Sequence, residues 1–292
     1  MTDGAGFGPV AGGAPVPTPA ATGVPGRHEL EEQVLGEVTP TRKEEESLQA
    51  DAKDLLRLAD ARLAQLEVPG RATLQGSAAK GTWLRGGGDL DVFLLLQPDV
   101  PEARLDAIAG EVGQGLLEGA HRKYAQHPYL VGSFRGRAVD LVPAYDVGSA
   151  AERRSAVDRT PLHTRWVREH LDARLAGDVR LAKRWLKGIG AYGADTATAG
   201  FSGYLVEVLL VWSGSFAAFL RYLAGGSRPR RLALGEDRLR DDTPAALRVV
   251  DPVDPERNCA AAVSEATLQL AAQAAAQYLQ RPDRRYYFPR PP

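Results

Sequence analysis

The sequence predicts an α+β fold, a mixed sheet with flanking helices followed by a mostly helical body. Three observations carry that expectation. Apolar runs of strand length at residues 90–96, 129–134 and 137–143 are interleaved with segments of helical period up to about residue 148. After residue 150 the period turns helical and largely remains so. The 292 residues, 44% hydrophobic and 25% charged, suffice for one large domain or two small ones with a real core.

Taken in order, residues 1 to about 27 are rich in Gly, Pro and Ala and bury too little apolar surface to offset their ordering entropy. The chain accordingly divides into a disordered tail over 1–37, a head over 38–150 and a helical body over 151–292. Thr41 with Glu44 forms a capping box, and Leu48, Ala52, Leu55, Ala59, Leu63 and Leu66 follow helical spacing until Pro69-Gly70 stops the helix. A short strand is expected at 71–74, a helix or irregular turn at 78–85, a strand at 90–96 and a helix at 105–124. Two strands, 129–134 and 137–143, meet at Arg135-Gly136. Thr160 reads as an N-cap with Pro161 at the first helical position, and Leu162, Trp166, Val167 and Leu171 form the apolar stripe. Further helices are expected at 179–189, 202–223 and 258–280, with a short strand at 248–250.

Composition excludes several classes. One cysteine, Cys259, rules out an internal disulfide framework or a Cys-cluster zinc site, and fits a reducing, cytoplasmic location. A net charge of -1 means that any nucleic-acid contact must use a local basic face. The N-terminus has neither the basic start nor the apolar run of a signal peptide. The apolar stretch 200–220 carries Glu207 and is interrupted by Ser213-Gly214-Ser215, so it reads as a buried helix and no membrane association is expected.

The chemistry-bearing residues are Gly76-Ser77, Asp89-Leu90-Asp91 and Asp140. Side chains two apart in a strand share a face, so Asp89 and Asp91 at a strand start point the same way. Asp140 lies centrally in its own apolar strand, RAVDLV. If the two strands are neighbours, three carboxylates meet, and such a cluster persists only with a cation among them. Magnesium suits it, being a hard ion that keeps waters and is shared with substrate phosphates, and two such ions can clamp an in-line displacement at phosphorus. Gly76 permits close backbone approach to a phosphate, and Ser77 offers a hydroxyl. An Asp-x-Asp alone is usually a solvated loop, and a Gly-Ser pair alone says nothing. Together, at this distance, they form a polymerase-type signature.

The stretch GSAAKGTWLRGGGDLDVFLLL, followed in order by VDLVPAYDV, SAVDRTPLHTRWV, LAKRWLKGIGAYGAD, GFSGYLVEVLL and DPVDPERN, resembles the archaeal, class I CCA-adding enzymes, which are tRNA nucleotidyltransferases. The resemblance runs from about residue 71 to 264. It implies a polymerase-beta-like nucleotidyltransferase head with Asp89, Asp91 and Asp140 as catalytic, magnesium-binding carboxylates. It also implies nucleotide contacts at Gly76, Ser77, Lys80, Thr160, His163, Lys183, Tyr192 and Arg257, with Arg257 concerned in nucleotide selection. The substrates implied are CTP and ATP, added without a template to tRNA or a shorter RNA acceptor, with release of pyrophosphate. Two positions depart from the family's usual pattern: Asp89 stands where many members carry Glu, and Lys80 where many carry Arg. The family's C-terminal tRNA-binding tail domain is expected to be absent from this chain.

The residues by themselves leave other readings open. The basic face Arg180, Lys183, Arg184 and Lys187 could be solvated or could capture triphosphate or RNA backbone. Arg257 could form a structural ion pair with Asp251 or Asp254. The terminal Tyr286-Tyr287-Phe288 could pack on its own body or, by analogy, serve a homodimer. Oligoadenylate and cyclic-dinucleotide synthases share the Gly-Ser and Asp-x-Asp core, so a second-messenger synthase is the alternative function. A non-catalytic RNA-binding relic is a third, disfavoured by the complete aspartate set.

Overall fold

The computed structural model describes residues 26–124, 128–225, 231–240 and 243–290, so the disorder expected for residues 1–25 lies outside the described residues. The chain divides into two compact units, His28–Trp185 and Leu186–Pro292. The unit that holds the main sheet therefore continues past residue 150, where the composition changes, through two further helices.

The first unit is built on a five-stranded mixed sheet in the order β1-β2-β5-β4-β3, formed by β1 (Gly70–Gln75), β2 (Leu90–Leu96), β3 (Glu118–Tyr124), β4 (Pro128–Phe134) and β5 (Arg137–Tyr145). All pairings are antiparallel except β2 with β5, which is parallel. Helices α1 (Arg27–Val38) and α2 (Arg42–Gln65) precede the sheet. α1 lies partly in the expected tail, and its Val34 and Val38 are buried. The Thr41 capping box is present, and the predicted stripe Leu48, Ala52, Leu55, Ala59 and Leu63 is buried. That stripe packs with Leu90, Val92, Leu94 and Leu96 of β2, Val139 and Leu141 of β5, and Ile108 and Val112 of α4 (Leu105–Gly113). On the opposite sheet face Phe93, Leu95, Val142 and Ala144 form a second apolar cluster. β2 and β5 are thus buried on both faces, which explains their near-continuous apolar sequences.

The helix expected over 105–124 ends at Gly113, and β3 takes the rest. Gly115 and Gly119 have φ of +74° and +62°, a left-handed conformation that stops a helix and that glycine adopts without penalty. Where a helix or irregular turn is expected at 78–85, the short α3 (Gly76–Lys80) starts two residues earlier and is ended by Gly81 at φ +64°.

A buried aspartate joins the sheet to the helices C-terminal to it. Asp158 is fully buried, and its carboxylate accepts the main-chain amides of Tyr145, Arg154 and Ser155. This anchors a 3-10 turn, Val157–Arg159, that runs directly into α5 (Thr160–His170). Thr160 is therefore the first helical residue and not the cap, and Leu162, Trp166 and Val167 are buried as expected while Leu171 only ends the helix. α6 (Ala173–Gly188) comes next.

In the second unit the helix expected over 202–223 is two helices, α7 (Gly203–Ser213) and α8 (Phe216–Ala224), bent by 98°. Gly214 adopts φ +75° and Ser215 caps α8, so the Ser-Gly-Ser interruption is a corner. Among the described residues no single helix is long and apolar enough to cross a membrane. A small three-stranded sheet has the order β6-β7-β8, from Arg231–Leu232 (β6), Arg248–Asp251 (β7) and Asp254–Asn258 (β8). Asn258 ends β8 instead of starting a helix, because its side chain holds the amides of Val249 and Ala260. α9 (Glu265–Gln280) starts only after the Ser264 cap. The terminal aromatic run packs on its own unit: Tyr287 is fully buried, its hydroxyl 2.8 Å from that of Tyr278 and its ring against Phe216.

Asp158→Ala would strand three main-chain amides in and beside the core. We expect a loss of roughly 3 kcal/mol of stability, read from chemical denaturation.

Candidate active site

The parallel pairing of β2 with β5 places Asp91 directly opposite Asp140 in register. Alternation fixes the face: Leu90, Val92, Leu94 and Leu96 enter the helix-covered core, while Asp91, Phe93 and Leu95 face the other way. β5 does the same, with Asp140, Val142 and Ala144 on the same face as Asp91. The two carboxylates therefore sit on the rim of an apolar wall, and both are half-buried. Asp89 is exposed and just precedes β2.

Electrostatics report the crowding. Burial first, then the charge of Asp140 and more weakly that of Asp89, push the Asp91 carboxyl up to about 6, against relief from Lys80. Burial also raises Asp140, with the Asp89 charge adding and Lys123 opposing. No hydrogen bond or ion pair from the described residues engages Asp89, Asp91 or Asp140. A half-buried carboxylate without a partner is costly, so the Asp91 and Asp140 pair fits a cation, with the exposed Asp89 adding a third negative charge beside it. Among the described residues no three His, Cys, Asp or Glu side chains close into a ready-made cage.

A cleft of ≈ 310 Å³ opens at this point, lined by Gly76, Asp91, Phe93, Tyr129, Asp140, Val142, Val157 and Thr160. Of the sequence-derived residues it brings together Gly76, Asp91, Asp140 and Thr160. Gly76 joins β1 to α3 at φ +65°, and a Cβ there would overlap the Asp91 carboxylate. Ser77 and Lys80 lie on α3, and the half-buried His163 is three residues beyond Thr160 on α5.

Lys183 is placed differently from the expectation. It is only 3% exposed, and its ammonium donates to the Thr82 carbonyl and hydroxyl. Arg180, one turn earlier on α6, donates to the carbonyls of Gly81 and Trp83. This part of the basic face is neither solvated nor open: it grips the loop between Lys80 and Asp89. Glu45 of α2 holds the same loop by accepting the Trp83 indole N–H at 2.8 Å.

Three site features escape sequence reasoning. Tyr129 lines the cleft, and burial and the Asp140 charge raise its hydroxyl's pKa. Lys123 pairs with Tyr129 across β3 and β4, on the Asp140 side of the sheet. Its segment reads as helix, which conceals that placement. Asp158 sets Val157 and Thr160 against the cleft, and the only hint is its place just before a helix start.

Tyr192 and Arg257 belong to the second unit. Tyr192 pairs with Phe201 in an isolated bridge and has the Lys187 ammonium 5.1 Å from its ring centroid. Burial, then the Glu207 charge, push its hydroxyl up to about 12. Arg257 lies on β8 and forms the ion pair with Asp251, 2.7 Å from Nη1 to Oδ2.

Gly76→Ala and Gly81→Ala share a left-handed backbone, but only at Gly76 would the new methyl meet a side chain. Each should lose about 1–2 kcal/mol from backbone strain. Gly76→Ala should lose measurably more in chemical denaturation, the difference reporting the overlap with Asp91.

Residues 56–163 match the family model described as nucleotidyltransferase domain, and residues 177–288 that described as tRNA nucleotidyltransferase, second domain. The chain is 44% identical over 263 residues to the CCA-adding enzyme of Halobacterium salinarum, covering 89% of this chain and 58% of that protein. It is 45% identical over 240 residues to that of Haloarcula marismortui (81% and 51%) and 38% identical over 265 residues to that of Sulfurisphaera tokodaii (90% and 62%). The chain thus spans between about half and three-fifths of the length of these relatives. Among solved structures, the Cid1 poly(U) polymerase with Mg and 3′-dATP superposes with a TM-score of 0.64 at 17% identity, covering 87% of this chain and 94% of that one. The CdnC:HORMA-deltaN complex of E. coli MS115-1 gives 0.62 at 19% (90% and 93%). At these identities the two structures show the shared fold alone, a polymerase-beta-like head with a helical C-terminal part. By its sequence kinship, this chain belongs to the family of the archaeal CCA-adding enzymes.

Proposed function

We propose that the protein adds C and A residues from CTP and ATP to the 3′ end of tRNA or a tRNA-like RNA acceptor, without a template and with release of pyrophosphate. The observation that carries the reading is the unpartnered pair Asp91 and Asp140, side by side on β2 and β5 at the mouth of the cleft. The family kinship supplies the substrate class. Asp89, Asp91 and Asp140 would hold two magnesium ions, which when bound neutralise the triphosphate and acidify the attacking hydroxyl. Gly76, Ser77 and Lys80 are assigned to the nucleotide phosphates, since Gly76 leaves room beside Asp91 and Lys80 brings positive charge to it. Thr160 and His163 are assigned nucleotide contacts on α5, and Lys183, Tyr192 and Arg257 the contacts that the family resemblance implies. For Lys183 this role requires the Thr82 hydrogen bonds to yield to the ligand.

In the proposed reaction the acceptor's terminal ribose hydroxyl attacks the α-phosphorus. A new oxygen–phosphorus bond forms as the bond to pyrophosphate breaks, and the hydroxyl proton leaves. Asp140, whose carboxyl burial raises, is the candidate to receive that proton. Phe93, Val142 and Val157 keep the cleft floor apolar, which strengthens every charge interaction above it.

The direct test supplies magnesium, labelled CTP and ATP, and a tRNA lacking its CCA end, an acceptor-stem minihelix, or no RNA. Extension of RNA by C, C and A is the expected outcome. Labelled oligonucleotides or cyclic products without RNA would replace the reading with a second-messenger synthase. Asp140→Asn should lower turnover by at least about a hundredfold with folding retained.

The raised carboxyl of Asp91 gives a pH dependence. Because its folded value, about 6, exceeds the ordinary value of 3.8, the stability it confers on the metal-free protein is complete below 3.8. It is lost as pH rises through about 6. A divalent cation needs the ionised form, so magnesium should raise Tm more at pH 7.5 than at pH 5. Equal shifts would remove Asp91 from the cation site.

A further inference from the structure

Residues 281–290, RPDRRYYFPR, carry four arginines and one aspartate, a net charge of +3 in a chain whose total is -1. None of them has a part in the proposed chemical step. Asp283, Arg284, Arg285, Phe288 and Arg290 line a cleft of ≈ 570 Å³, larger than the one at Asp91 and Asp140. Arg281, Arg284, Arg285 and Arg290 are all exposed.

The cations stand on a fixed turn. Asp283 caps a 3-10 turn, Arg284–Tyr286, by accepting the Arg285 amide, and the Tyr287 and Phe288 amides donate back to the Arg284 carbonyl. Tyr287 anchors the turn in the aromatic cluster with Phe216 and Tyr278, and Tyr286 donates its hydroxyl to Gln277 of α9. A Cβ on Gly188, the last residue of α6, would overlap the Tyr286 carbonyl, so the main chain is clamped from that side too. Arg284 lies over the Phe288 ring, 4.5 Å from its centroid, a contact that limits the range of the guanidinium. Arg285 is tied to Asp283, with Nε at 3.0 Å from Oδ1 and Nη2 at 2.7 Å from Oδ2. Hydrogen bonds from the Arg285 side chain and main chain, with the charges of Arg285 and Arg281 behind them, pull the Asp283 carboxyl down to about 2. Asp283 thus neutralises one of the four cations. Among the described residues no carboxylate forms an ion pair with Arg281 or Arg290.

A net positive cluster on a rigid turn has less freedom to lose when a ligand arrives, and guanidinium forks match the oxygens of phosphate. A membrane surface would call for apolar side chains exposed beside the cations. Here Tyr287 is fully buried and Tyr286 and Phe288 are half-buried, and among the described residues only Leu270 of α9 is an exposed large hydrophobic. A phosphodiester backbone needs no apolar anchor. We propose that Arg281, Arg284 and Arg290 form a binding site for the phosphodiester backbone of RNA. The inference rests on the nucleotidyltransferase reading, which supplies the RNA as acceptor, and deepens it: contacts to phosphates hold the acceptor whatever its sequence.

The test titrates a fluorescently labelled acceptor-stem minihelix with the whole chain and reads anisotropy at salt concentrations from about 0.05 to 1 M. The wild type is compared with Arg284→Gln, Arg290→Gln, the double variant, and Arg42→Gln, an equal charge change at an exposed position on α2. Each substitution in the cleft should weaken binding about eightfold at 0.1 M salt and lower the slope of log K on log[salt] by about 0.9, with the loss vanishing near 1 M. The double variant should show about twice the change in slope. In the incorporation assay the KM for RNA should rise by the same factor while kcat and Tm hold. An unchanged slope in the double variant would overturn the proposal. So would an equal loss in Arg42→Gln, which would reduce the effect to net charge. If the double variant loses binding to phosphatidylglycerol vesicles and keeps its binding to RNA, the cluster is a membrane contact and the proposal falls. A wild-type chain that extends no RNA, while the variants still lose minihelix binding, would overturn the catalytic reading alone and leave this site standing.

Discussion

The first unit depends on one pairing, β2 beside β5 in parallel, with Asp91 opposite Asp140. Parallel strands buried on both faces are the most apolar surroundings that a small domain offers, and here two carboxylates stand at their edge. The cost of that placement shows as raised carboxyls on both residues. Apolar burial along residues 92–96 and 141–145 holds the strands together in spite of it. The repulsion is therefore stored at the cleft, where a cation would relieve it.

The surroundings keep that arrangement in place with groups that are themselves buried. α2 and α6 both hold the loop between Lys80 and Asp89: Glu45 of α2 accepts the Trp83 indole N–H, while from α6 Arg180 donates to the carbonyls of Gly81 and Trp83 and Lys183 to the carbonyl and hydroxyl of Thr82. Gly88 lies so close to Leu48 and Trp83 that a Cβ would crowd both. On the far side of the cleft Asp158 fixes the turn that carries Val157 and Thr160. Buried polar groups of this kind cost free energy unless fully engaged, and when engaged they define a single geometry.

The second unit solves a similar problem differently. Its helices carry the burial, with α7 and α8 meeting at a glycine corner and Tyr278, Tyr287 and Phe216 forming an aromatic cluster. Its small sheet carries the polar chain from Tyr204 through Asp251 to Arg257. Here the rigid apolar part and the oriented polar part lie on different elements, whereas in the first unit they share the same two strands.

The sequence by itself determined the strand 90–96, all but the last two residues of the strand that starts at 137, and the Thr41 cap with the helix it starts, and it put forward the three aspartates as candidates. Alternation and capping are local rules, so adjacent residues suffice to read them. It also carried the family signature, because the motifs recur in order. Only the tertiary structure decided which strands are neighbours, and thus that Asp91 and Asp140 meet at all. Tertiary structure also turned residues 118–124 from expected helix to edge strand, which places Lys123 on the site face beside Tyr129 of β4. It buried Lys183, whose helix face could equally have been solvated or have held phosphate, against Thr82, and of the two ion-pair partners the sequence offered Arg257 it selected Asp251. The physical reason is common to all of these: strand pairing, burial of charge and ion-pair choice depend on residues six to a hundred positions away, and no local periodicity encodes them.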